Sequence, residues 1–89
     1  MREFVIDVTT VTNFDAFVAQ FNAGYCQYCG GHWHGRSWDA FHDYLSWLDD
    51  ESFTIRFVGW DDCQGLDDGD REMIRNILLD NPHVHAVFT

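Results

Sequence analysis

Apolar and polar positions along the chain switch between two periods, and the switches mark the elements. Residues 3–8, Glu3-Phe4-Val5-Ile6-Asp7-Val8, are apolar and β-branched and predict a strand. Phe14, Phe17, Val18 and Phe21 then recur at i, i+3, i+4 and i+7, the stripe of an amphipathic helix. Thr12, with Asp15 three residues on, reads as the start of that helix, Asp standing where a capping box has Glu. Gly24 reads as its stop, in a left-handed turn. Residues 24–36 hold four of the seven glycines, two cysteines and two histidines, and read as a loop. Ser37 reads as the N-cap of a second helix over residues 38–48, with Trp38, Phe41, Leu45 and Leu48 at helical spacing. Asp49-Asp50-Glu51 closes it, where the helix dipole disfavours acids, so this run calls for solvent or a basic partner. Phe53-Thr54-Ile55-Arg56-Phe57-Val58 is a second strand. The loop over residues 61–70 has five aspartates and two glycines. Asp70 reads as the cap of a third helix, with Met73, Ile74, Ile77 and Leu78 on one face and Asn81-Pro82 as its end. Residues 83–88 form the last strand.

The order is β-α-α-β-α-β. Helical crossovers between strands imply parallel neighbours joined right-handedly. The predicted class is α/β, a small three-stranded parallel sheet covered by helices. With no repeat, linker or low-complexity tract, residues 1–89 read as one domain.

Charge narrows the partners. Fifteen Asp and Glu against five Arg, with no Lys, leave a net charge of −10. That weighs against phosphate backbones and anionic membrane surfaces, and favours a basic partner. No apolar run approaches the roughly 20 residues of a membrane span. Met1-Arg2-Glu3-Phe4 has no leader architecture, and three cysteines are an odd count, so reduced thiols and a cytoplasmic location are expected.

Asp39 and Asp43 are four apart and share one face near the start of the second helix. Such a pair repels mildly in water and is useful against a cationic surface. Trp33 flanks it in the preceding loop. Acids and aromatics beside a glycine-rich loop can present anchors to a basic concave site. Of Trp33, Trp38 and Trp47, at least one is expected to be exposed at an interface.

The segment Trp33-His34-Gly35-Arg36-Ser37-Trp38-Asp39-Ala40-Phe41-His42-Asp43 reads aromatic–x–Gly–x–polar–bulky–Asp–Ala–hydrophobic–x–Asp. With this segment, its length, its order of elements, Trp60 after the second strand and its final C-terminal strand, the chain resembles barstar-family ribonuclease inhibitors. The resemblance implies a barstar-like fold. It also implies a non-catalytic, cofactor-free bacterial immunity protein, a monomer that plugs a basic secreted microbial ribonuclease 1:1. By resemblance, Asp43 enters the phosphate-binding pocket of the nuclease and Asp39 pairs with a neighbouring arginine. Trp33 stacks near the catalytic histidine, and Gly35 lets the backbone approach closely. Ser37, Trp38 and His42 fall on neighbouring contact positions. On the third helix a family acidic contact falls near Asn76, with Asp80 one turn later. The chain departs from the family pattern at His42, where a large aromatic is common, and at Ser37, where Asn is common. It departs again at Arg36, which puts a positive charge into the contact loop.

A second constellation gives the alternative, a zinc-stabilised interaction domain. Cys26, Cys29, His32 and His34 offer four nitrogen and sulfur ligands in nine residues. Their spacing argues against it, since helical zinc fingers have a long spacer and histidines three to five apart, and these two straddle Trp33. The Cys-x-x-Cys pair follows a helix rather than a strand, unlike thioredoxin-type dithiols. Cys63 reads as a lone thiol. The acidic loop lacks the register of a calcium loop and reads as solvated, adding to the field that steers a basic partner. His83 and His85 read as ordinary strand residues.

Overall fold

Phe4, Ile6 and Val8 are buried while Glu3, Val5 and Asp7 between them are exposed, the period of two that makes residues 2–7 a strand with one core face. The computed structural model describes residues 2–48 and 50–89. Three strands result: β1 (Arg2–Asp7), β2 (Phe53–Val58) and β3 (Val84–Phe88). They lie in the order β1-β2-β3, and both pairings are parallel. The register runs from Arg2 opposite Phe53 to Asp7 opposite Val58, then from Phe53 opposite Val84 to Phe57 opposite Phe88. Helices α1 (Phe14–Phe21) and α2 (Trp38–Ser46) span the first crossover, and α3 (Asp68–Leu79) the second. The α/β class and the order β-α-α-β-α-β are as the sequence predicts.

The strands bury one face. Phe53, Ile55 and Phe57 of β2 are fully inaccessible and join Phe4, Ile6 and Val84 beneath residues from all three helices. Glu3, Val5, Arg56 and His85, at the alternate positions, are exposed or half-exposed, and Arg56 pairs with Glu3 across that face at 3.3 Å. The helices therefore cover only one side of the sheet.

Several boundaries differ from expectation. Asn13, not Thr12, caps α1, accepting the N–H of Ala16 at 2.8 Å. Gly24 does not stop that helix in a left-handed turn. The chain runs on as a π-helical turn (Asn22–Cys26), and a Cβ on Gly24 would lie 2.6 Å from the Val5 carbonyl oxygen. The residue is glycine because β1 passes against it. The cap of α3 is Asp67, three residues before Asp70, whose N–H it accepts at 2.7 Å. Met73 falls off the buried face of that helix, which is made by Ile74, Ile77 and Leu78. Helix α2 ends at Ser46, Leu48 packs partly against the core, and Asp49 lies outside the described residues. The acidic loop is tied down from inside: the Arg71 guanidinium donates to the carbonyls of Trp60, Cys63 and Leu66 and lies over the Trp60 ring. Among the described residues, no helix is long and apolar enough to cross a membrane.

Candidate partner-binding face

Ser37 opens α2 as expected: its backbone is extended and its hydroxyl accepts the N–H of Asp39 at 3.2 Å. Phe41 and Leu45 turn inward and are fully buried. Asp39 and Asp43 therefore fall on the outer side, exposed, and neither carboxylate has a hydrogen bond or ion pair among the described residues.

The helix is held along its whole length. At its start, the indole N–H of Trp33 donates to the Ser37 carbonyl at 2.9 Å. Midway, the Tyr25 hydroxyl donates to the Tyr44 carbonyl at 2.7 Å. At its end, Ser46 Oγ donates to Asn81 Oδ1 at 2.9 Å, and His83 Nε2 donates to the Leu45 carbonyl at 2.8 Å. The preceding loop is equally fixed. Asn22 is buried and forms two hydrogen bonds with the Trp33 backbone, 2.8 Å to its carbonyl and 2.6 Å from its N–H. The Tyr44 hydroxyl likewise takes the His32 N–H at 2.9 Å and donates to its carbonyl at 3.0 Å. Neither Asn22 nor Tyr44 belongs to a sequence motif. Asn22 does carry a signal, because it sits four residues after Val18 on the apolar stripe, where a polar residue must find a buried partner.

Trp33 departs most from expectation. It is 1% exposed, ringed by Phe14, Phe17, Phe21, Trp38 and Phe41. A ring of that size gains most by burial, and its one polar atom is satisfied by Ser37, so it offers no surface for stacking on a partner. Trp47, 52% exposed, is the open tryptophan. Trp38 is half-buried against Phe14 and Phe41. His42 is half-buried, its Nδ1 3.4 Å from Ser46 Oγ. Asp80 is exposed at the C-cap of α3, next to the Asn81 that holds the end of α2, and so lies at the opposite end of the helix from Asp39.

Gly35 is required by the fold itself. Its φ is +78°, and a Cβ there would sit 2.7 Å from Val18 Cγ2. Gly35→Ala is expected to cost about 1–2 kcal/mol from the left-handed backbone alone, lowering the thermal midpoint by several degrees in a calorimetric scan. An unchanged midpoint would show that the loop relaxes freely.

The four Cys-His residues are not gathered into a ligating group. Cys26 is fully buried, Cys29 is half-buried, and His32 and His34 are exposed with their rings edge-on at 4.9 Å. Among the described residues, no group of three or more His, Cys, Asp or Glu is placed to hold a metal. Burial, with Cys29 nearby, pushes the Cys26 thiol up to about 12, and burial also raises Cys29 and the Tyr25 phenol. Thiols held protonated are poor redox nucleophiles.

These shifts fix an alkaline limit. In the unfolded chain Cys26 ionises near 8.5 and Tyr25 near 10. The folded protein retains both protons to higher pH. Their contribution to stability is complete below about pH 8.5 and is lost as pH climbs toward 12. Urea unfolding at pH 10.5 is expected to show a lower midpoint than at pH 8, with a smaller difference in Cys26→Ala. Equal midpoints for the wild-type chain would contradict the burial.

Beside the carboxylates, the 32–37 loop and α2 enclose a groove of about 590 Å³, lined by His32, His34, Arg36, Ser37, Ala40 and Tyr44 together with Trp33.

The model of the family described as Barstar (barnase inhibitor) matches residues 1–83, which takes in β1, β2 and all three helices. No curated protein matches the chain.

Proposed function

The chain belongs to the Barstar family of barnase inhibitors, and from that premise we propose that it inhibits a basic, secreted microbial ribonuclease by occupying its active site with α2 and the loop before it. The observation that supports this reading is the pair Asp39 and Asp43, two carboxylates with no partner among the described residues, on a helix fixed at both ends. A nuclease pocket is shaped to hold a phosphodiester. A carboxylate carried into it collects the same charge-assisted hydrogen bonds. Because the helix is already rigid, little ordering opposes binding. Asp43 is the principal anchor and Asp39 its companion. Ser37, Trp38 and His42 border them, Gly35 shapes the approach of the loop, and Asp80 extends the acidic surface toward α3. Trp33 serves from within, holding the loop on the helix.

In this reading the protein acts as a monomer, 1:1, without a cofactor or chemistry of its own, and guards the cytoplasm of a bacterium against a toxin. The remaining acids add a long-range field that speeds capture of a cationic enzyme. Titrating barnase with the protein in an RNA-cleavage assay is expected to give stoichiometric inhibition that weakens as salt is raised. Full nuclease activity at a tenfold molar excess, for barnase and for other basic microbial ribonucleases alike, would refute the proposal.

A further inference from the structure

Arg36 stands on an otherwise acidic binding face, and it differs from the four other arginines of the chain. Arg2 pairs with Glu51 at 2.8 Å and Arg56 with Glu3 at 3.3 Å. Arg71 is spent on three backbone carbonyls. Arg75 lies over the Trp60 ring, 5.6 Å from its centroid. Arg36 alone has, among the described residues, no ion pair, hydrogen bond or ring contact, in a chain with fifteen acids to choose from. It is exposed and lines the groove beside α2.

Among the described residues, no acid lines the groove. Its polar lining is the Arg36 guanidinium, the His32 and His34 rings, and the Ser37 and Tyr44 hydroxyls. Asp39 and Asp43 each precede one of its lining residues, Ala40 and Tyr44, so they stand one step round the helix from it. The face is therefore bipolar, a carboxylate stripe beside a groove that carries the Arg36 guanidinium. Against a uniformly basic enzyme, Arg36 would be a like charge opposing association.

We propose that this groove receives a carboxylate side chain, Asp or Glu, of the same nuclease that takes Asp39 and Asp43 into its cationic pocket. The inference rests on the inhibitor reading above and narrows it: the target carries an acid beside its phosphate site. A guanidinium meets a carboxylate with two parallel hydrogen bonds, so the contact sets register as well as charge. The groove thus selects among ribonucleases whose phosphate pockets look alike.

The sign of one substitution tests this. Arg36→Glu takes the net charge from −10 to −12, which by long-range attraction alone strengthens binding to a basic enzyme. With a nuclease carboxylate in the groove, it weakens binding. Inhibition is measured for the wild-type chain, Arg36→Ala, Arg36→Glu and Asp43→Ala over a panel of basic microbial ribonucleases beginning with barnase, and scored on the enzyme that the wild type inhibits most tightly. Arg36→Glu is expected to lose at least tenfold and Arg36→Ala less, with thermal midpoints unchanged. Replacing the facing acid of the nuclease by Arg is expected to restore inhibition by Arg36→Glu. Equal or tighter inhibition by Arg36→Glu, while Asp43→Ala has lost its hold, overturns the groove proposal and leaves the inhibitor reading intact. Failure of the wild type on every enzyme removes both. Binding of a short RNA by the free wild-type protein, abolished in Arg36→Glu, overturns the proposal in favour of a phosphate ligand.

Discussion

Asp43→Ala is expected to weaken inhibition of the target ribonuclease by at least tenfold while leaving the fold as stable as before. Truncating one member of a charge pair that is desolvated on binding costs about 2–5 kcal/mol, much of it from the stranded cation on the other side. Within the free protein the same change removes nothing. The side chain is exposed and makes no ion pair or hydrogen bond among the described residues. Alanine is also the better helix former, and its introduction relieves the repulsion with Asp39. The thermal midpoint should therefore hold or rise slightly. Asp43→Asn, which keeps the shape and deletes the charge, should lose nearly as much inhibition and flatten the salt dependence. An Asp43→Ala variant that inhibits like the wild type would mean that the plug is built on other residues.

Trp33→Ala should do the reverse, damaging the fold first. Removing a fully buried Trp costs about 3–5 kcal/mol, against a stability of roughly 5–15 kcal/mol for a whole domain. Here the lost ring touches five other aromatic rings, and the Ser37 carbonyl loses the indole N–H that ties the loop to the start of α2. At about 4–8 °C per kcal/mol for a chain of this size, the midpoint should fall by at least about 12 °C. Inhibition should fall with it, because the loop and the start of α2 come loose together. Trp33→Phe, which retains one ring but loses the N–H contact and part of the buried volume, should fall between. If Trp33→Ala kept its midpoint and lost only inhibition, the indole would be a contact residue after all.

That reversal shows where sequence reading stops. Periodicity places β2 without error, because Phe53, Ile55 and Phe57 declare a single core face within six residues. Ser37 is equally legible, since capping is a matter of three neighbouring positions. Asp39 and Asp43 could be put on one face from their spacing alone. Trp33 could not be placed, because whether a loop aromatic turns in or out depends on the hollow left between α1 and α2, and that hollow belongs to residues distant in sequence. Gly24 is hidden from the sequence for a similar reason: it is glycine for the passing backbone of β1 and not for a turn. The displaced caps, Asn13 and Asp67, reflect competition among several good capping residues crowded at each helix start. Arg36 was visible as a departure from the family pattern, but its lack of an internal partner appears only once the other four arginines have found theirs.

The parallel sheet also sets an order of events for the newborn chain. Arg2 pairs with Phe53, fifty-one residues further on, so at about 5–20 residues per second the first strand emerges from the ribosome several seconds before its neighbour exists. Parallel strands cannot close locally as a hairpin does. During that wait Phe4 and Ile6 have only α1, the π-helical turn with Tyr25, Tyr28 just after it, and α2 to lie against, and the front of the molecule is where nascent chains would stick to one another or recruit a chaperone.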